Sequence, residues 1–109
     1  MEEQMIRRGS TPSVQLRVRG TDLRGFDVYV TFSHYSHVMR RGPTEIAASY
    51  DEVTGDTLID VLLSQEETLA WPEGAHVECQ AHAIAGSTRI ETDIGVITVG
   101  RTLRSEVLP

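Results

Sequence analysis

The residues of this chain that could hold a metal or attack a substrate are few and widely spaced. His34 and His37 bracket Tyr35 and Ser36, and His76 and His82 follow forty residues on. In a continuous strand, positions three apart point to opposite faces, so His34 and His37 share a metal only if a turn separates them. His76 and His82 fall on one strand face but about 20 Å apart at about 3.3 Å per residue. The expectation is four surface histidines and no metal.

Cys79 is the single cysteine, which excludes an internal disulfide and a multi-cysteine zinc site. It alternates with polar neighbours on a predicted inner face, where a thiol behaves as a small hydrophobe, while His82, the nearest histidine, points the other way. Ser64 looks like a nucleophile only until Glu67 is noticed: the pair forms a capping box. Asp51, Glu52 and Asp56 lack the spaced carboxylates of a calcium loop and read as a solvated hairpin. Glu66, Glu67 and Glu73 lie near one short helix, whose dipole favours acidic residues in its first turn. No Gly-rich phosphate loop follows a strand. The chain therefore reads as non-enzymatic, with no catalytic residue, no cofactor and no small-molecule substrate.

The elements that position these residues centre on Asp56–Trp71. Thr57, Ile59, Val61 and Leu63 alternate with Leu58, Asp60 and Leu62, the period of a strand. At Ser64 the capping box starts a helical turn, which Pro72 and Gly74 end near Trp71. Leu69 and Trp71 are expected to fold over the core as a lid.

Before this stretch, Val14, Leu16 and Val18 alternate with Gln15, Arg17 and Arg19. Phe26–Ser33 is the next strand, with Val28, Val30 and Phe32 on one side. His34–Arg41 reads as an edge strand or ordered loop ended by Gly42-Pro43. Glu45–Tyr50 reads as a strand that enters the central one through a Thr54-Gly55 turn. After Gly74, Val77, Cys79, Ala81 and Ala83 give a half-buried strand with small inner residues. Arg89–Val99 returns the chain, with Gly95 marking a bulge or close backbone approach.

The pattern predicts an all-β, antiparallel β-sandwich of immunoglobulin-like layout, with 6–8 strands and one short helical turn near 64–71. Residues 1–12 read as a flexible or partner-ordered arm, 13–100 as the sandwich domain, and 101–109 as a C-terminal tail. At 109 residues the chain holds one core, and 39% hydrophobic residues suit a thin fold. The first residues lack the apolar stretch of a signal peptide, and no run nears a membrane span, so the expectation is no membrane association.

The net charge of −6 argues against nucleic acid as a partner. All ten cations are arginine, with no lysine or asparagine anywhere, a bias that suits a G+C-rich coding sequence. Arg7, Arg8, Arg17, Arg19, Arg24, Arg40 and Arg41 concentrate in the first 41 residues, while acidic residues dominate from 45 to 93. That asymmetry suits head-to-tail contact between copies or docking on an acidic partner. Arg7 and Arg8, with Leu103, Val107 and Leu108 of the tail, are the candidate interface residues. The tail is positioned to add a strand to a neighbour's edge.

Three segments in fixed order carry a family resemblance: VQLRVRGTDLRGFDVYVTFSH (14–34), TLIDVLLSQEETLAW with the Gly turn and strand after it (57–84), and IGVITVGRTLRSEVLP (94–109). They resemble a family of small, mostly uncharacterised structural proteins of tailed phages and prophages. In that family a "gyDVYVTF" strand, an "LTQEETLaF" junction and an "itVgriLkdgVi" tail recur. Phe26–Phe32 and Leu63–Trp71 match well, whereas Ser105-Glu106-Val107 stands where the family usually has a Gly. More distantly, the chain is similar to the N-terminal β-sandwich domain of phage baseplate proteins.

The resemblance implies a virion component that assembles in the bacterial host cytoplasm and contacts itself, as a homo-oligomer, and other virion proteins. The tail tip, baseplate or fibre region is the expected place. A capsid decoration protein on the head, or a small inhibitor of a host defence protein, are the alternatives.

Overall fold

The structure, a computed structural model, describes residues 4–92 and 94–100. Among the described residues, nine strands occur in this order: β1 (Gln4–Arg7), β2 (Ser13–Val18), β3 (Asp27–His34), β4 (His37–Arg41), β5 (Ala47–Asp51), β6 (Asp56–Leu62), β7 (His76–Ala85), β8 (Thr88–Glu91) and β9 (Gly95–Gly100). A 3-10 turn, Pro43–Glu45, precedes β5, and one helix, α1 (Gln65–Leu69), joins β6 to β7.

The strands form two sheets. The larger runs β1-β9-β7-β3-β4, with β8 also on β7, and the smaller runs β2-β6-β5. The fold is an all-β sandwich. The chain changes sheet between β1 and β2, β2 and β3, β4 and β5, and β6 and β7, and at the last of these a helical turn links the central strand of the small sheet to that of the large one. One pairing is not antiparallel, since β1 lies parallel to β9.

The core follows the two-residue period. Val14, Leu16 and Val18 of β2, Ile59 and Val61 of β6, and Leu63 beyond it face Val28, Val30 and Phe32 of β3 and Val77, Cys79, Ala81 and Ala83 of β7. Burying each large apolar side chain contributes roughly 1.5–3 kcal/mol. Trp71 is fully buried, its ring 6.3 Å from that of Phe32 and tilted by 44°. The small inner residues of β7 leave the volume that these two rings occupy.

The helix forms as the capping box requires. The Ser64 hydroxyl accepts from the Glu67 amide at 3.1 Å, and the Glu67 carboxylate accepts from the Ser64 amide at 2.8 Å. Five residues later the chain turns through Gly74, whose φ of +78° suits glycine, into β7.

The expected arm over 1–12 requires correction, because the described part, residues 4–12, belongs to the sandwich. Ile6 is buried, and β1 pairs with β9 from Gln4↔Ile97 to Arg7↔Gly100. The Gln4 amide bonds both backbone groups of Gln15, at 2.5 and 3.2 Å, and so imitates a further ladder step against β2. Pro12 accepts from the Leu63 amide at 3.0 Å, and Ser10 accepts from the Thr68 hydroxyl at 2.9 Å. These partners are 11 to 93 residues away in sequence, so no local pattern announces them.

The expected single return strand over 89–99 is two strands. Glu91 pairs with His82 and Gly95 with Cys79, so the return path spends one residue more than β7 does between them. The bulge expected at Gly95 thus falls just before it. There, Thr92 donates its amide to Ala81 at 3.1 Å and accepts the Ala81 amide on its hydroxyl at 3.0 Å.

Candidate interaction face

Outward-facing residues of four neighbouring strands meet on the large sheet. Tyr29 of β3 lies opposite His82 of β7, and His82 lies opposite Glu91 of β8. One step along, Arg40 of β4 lies opposite Thr31, and Thr31 opposite Gln80. One step the other way, Arg89 of β8 lies opposite Ile84. Because side chains alternate strictly along each strand, this register sends all of them to the face away from the core.

Two adjoining hollows follow that face along β7. One, of about 270 Å³, is lined by Tyr29, Arg40, His82, Ile84, Arg89 and Glu91 among others. The second, of about 370 Å³, continues past Thr31, Ser33, Glu78, Gln80 and Ile94, and shares Arg40 and His82 with the first. Together they form an open furrow with arginine on both banks. His82 Nδ1 stands 3.3 Å from the Glu91 carboxylate, and Gln80 donates to the Thr92 carbonyl at 2.7 Å. In the floor, the Thr31 hydroxyl is buried and has no hydrogen-bond partner among the described residues.

The furrow suits binding. A carboxylate fits a guanidinium fork, and apolar groups fit against Ile84 and Ile90. Ser33 and His82 sit four ladder steps apart, about 13 Å, well beyond nucleophile–base contact. Apolar side chains border it as well: Val38 is 58% and Ile94 55% exposed. Beyond Val38, at the β3–β4 turn, Tyr35 is 91% exposed with a φ of +52°.

The residues singled out in the sequence fare differently. His34 and His37 are direct cross-strand partners over the two-residue turn, so the pair that a continuous strand would split is brought together. Among the described residues no group of three ligand-type side chains could hold a metal. His76 is exposed, 3.4 Å from the Thr98 hydroxyl, and only His82 joins the furrow. Cys79 is buried, and that burial pushes its thiol up to about 11.

The acidic hairpin is less solvated than expected. Asp56 is buried, accepting from the Gly20 amide at 2.8 Å and from Arg17 Nη1 at 2.9 Å. The Gly20 bond and then Arg17 hold its carboxyl below the usual range. Asp51 caps its own loop by accepting from Val53 and Thr54, whereas Glu52 and Val53 project outward.

Of the candidate interface residues, Arg8 is committed within the chain. It donates to the Trp71 carbonyl at 2.7 Å and the Leu69 carbonyl at 2.8 Å, satisfying the end of α1. Arg7 is exposed on β1. Leu103, Val107 and Leu108 lie outside the described residues. The furrow itself was not foreseen. Its only trace in the sequence is the placing of Tyr29, Arg40, His82 and Arg89 at outward positions, and their convergence depends on strand register.

In comparison with known proteins, no protein-family model matches the chain, and neither does any curated protein.

Proposed function

We propose that this chain is a non-enzymatic structural or assembly protein of a tailed-phage particle, working in the tail tip, baseplate or fibre region through protein–protein contacts and self-association. The observation that carries the reading is the open, two-banked furrow of the large sheet, bordered by Val38 and Ile94. Scattered apolar residues are ordinary on a surface, but here two of them stand beside arginines whose side chains have no carboxylate partner, a pairing of apolar contact and charge complementarity that supports a protein-binding face. The resemblance of the 26–32 and 63–71 segments to phage structural proteins supplies the setting. Small parts of such particles are used in many copies, so contact with a second copy is built into this reading.

Mass spectrometry and immunogold labelling of purified particles test it. The chain is expected in stoichiometric amount, with label at the tail end. Label on the head would reassign it to capsid decoration. Absence from particles, with a one-to-one complex with a host protein, would overturn the structural reading.

A further inference from the structure

The described arginines divide sharply. Arg8 serves carbonyls, Arg17 pairs with Asp56, Arg24 with Asp22 and Glu52, and Arg41 with Glu67. Arg7 and Arg19 are engaged too. The side chains of Arg40 and Arg89 make no ion pair or hydrogen bond to any described residue, and both line the same furrow. The furrow's own carboxylates, Glu91 beside His82 and Glu78 in the second hollow, pair with neither arginine, so in a chain of net charge −6 the two guanidinium groups can take a carboxylate from elsewhere.

A complementary shape exists on the same molecule. The β5–β6 hairpin ends in Glu52 and Val53, with the Glu52 side chain 79% exposed and Val53 95% exposed. Among the described residues the ionic contact of Glu52 is a long one, 3.5 Å, to Arg24. The tip is held in shape by Asp51, so it is a preformed projection with an acid and an apolar group side by side. The furrow offers the converse, guanidinium groups beside Ile84 and Ile90. The hairpin belongs to the small sheet and the furrow to the outward face of the large one, so the core lies between them. No chain can satisfy its own furrow with its own tip.

We infer that the β5–β6 hairpin tip of one copy docks into the Arg40–Arg89 furrow of the next, giving a head-to-tail contact between unlike surfaces. Such a contact closes into a ring or continues as a filament, according to the rotation per step. This inference rests on the proposed self-association and assigns the surfaces that carry it.

The test is a charge exchange read by sedimentation or light scattering of the purified full chain. Wild-type protein should gain mass with concentration and lose it with added salt. Arg40→Glu/Arg89→Glu should weaken association on the order of a hundredfold, because acidic tip meets acidic furrow. Glu52→Arg should weaken it by setting arginine against arginine. Mixing the two variants should restore assembly, since each tip then meets a furrow of opposite charge. All these side chains are exposed, and unchanged circular dichroism would show that the fold is kept. Wild-type protein that stays a single chain up to about 1 mM would overturn the inference. So would association indifferent to either variant, or a mixture that stays dissociated. A chain found in particles but indifferent to the exchange would sink the surface assignment alone and leave the virion reading standing.

Discussion

Arg41, on the edge strand β4, is ion-paired with Glu67, the residue that closes the capping box of α1. One Glu67 oxygen takes the Ser64 amide and the other takes the guanidinium, so a single carboxylate caps the start of the helix and fastens it to the margin of the large sheet. Burial alone would raise the Glu67 pKa, but the bonds from Arg41 and Ser64 outweigh it and hold the group below its ordinary 4.5. A lowered folded pKa means that this stabilisation is complete above about 4.5 and is lost as pH falls through the folded value. Glu67→Gln keeps a cap-competent side chain and loses the charge, and should cost about 1 kcal/mol at pH 7; Glu67→Ala loses both and should cost about 2 kcal/mol. Urea titrations at pH 7 and pH 3 check this. The gap between wild type and Glu67→Gln should shrink at the lower pH, and a constant gap would show that the charge contributes nothing.

Trp71 is the largest buried side chain, yet its indole N–H has no hydrogen-bond partner among the described residues. The ring's packing therefore has to outweigh an orphaned donor, which costs about 1–3 kcal/mol. Trp71→Ala should lose about 3–5 kcal/mol by opening a void beside Phe32. Trp71→Phe opens a smaller void and removes the orphan, so its loss should be about 1 kcal/mol. Thermal melts followed by circular dichroism separate the two, and a Trp71→Phe loss well above about 1 kcal/mol would show that removing the orphaned donor brings no relief.

What could be read from the sequence was whatever is local. The capping box needs only Ser64 and Glu67, and the alternation of Thr57 to Leu63 needs only its own strand, so both stand where they were expected. The sandwich follows from several such strands taken together. By contrast, β1 carries only one buried apolar residue, Ile6, and is held by β9 at the far end of the chain. Its polar composition reads as an arm because the partners that satisfy its backbone are out of local view. The furrow was hidden for a related reason: Arg40 and Arg89 are 49 positions apart, and only the registers of β4 on β3, β3 on β7 and β7 on β8 bring them to one hollow. The β3–β4 turn escaped because it uses Tyr35-Ser36 where Gly or Asn would announce it.

That turn makes its own prediction. Tyr35 holds a φ of +52° and is 91% exposed, so a bulky residue bears left-handed strain without gaining burial. Tyr35→Gly should relieve it and, after the added entropy of the unfolded glycine, stabilise the isolated chain by about 0.5–1 kcal/mol, or a few degrees in Tm. Gly86 in the β7–β8 turn is the control. At φ +59° with nothing within 4 Å of a Cβ, Gly86→Ala should cost about 1 kcal/mol through backbone strain alone. If Tyr35→Gly destabilised instead, the ring's edge contact with His34, at 4.6 Å between centroids, would have to be worth more than the strain.

Cys79 offers the sharpest pH signature. Desolvation on the inner face of β7 pushes its thiol from 9.0 up to about 11. At neutral pH the thiol is protonated whether the chain is folded or not, so it adds no pH dependence. Above pH 9 the unfolded chain loses that proton while the folded one keeps it, and stability falls by about 1.4 kcal/mol per pH unit until folded Cys79 also ionises. Cys79→Ala leaves a small void and should cost about 1 kcal/mol at pH 7. By pH 10.5 the wild type should have lost about 2 kcal/mol to the thiolate of its unfolded state, a loss that the alanine variant does not share. The order of stability should therefore invert, with Cys79→Ala the more stable of the two in alkaline urea titrations. Every other residue is common to the two proteins, so the difference isolates Cys79. A wild type still ahead at pH 10.5 would mean that the thiolate is tolerated in the fold, and folded protein should then react with a thiol reagent as fast as unfolded protein does.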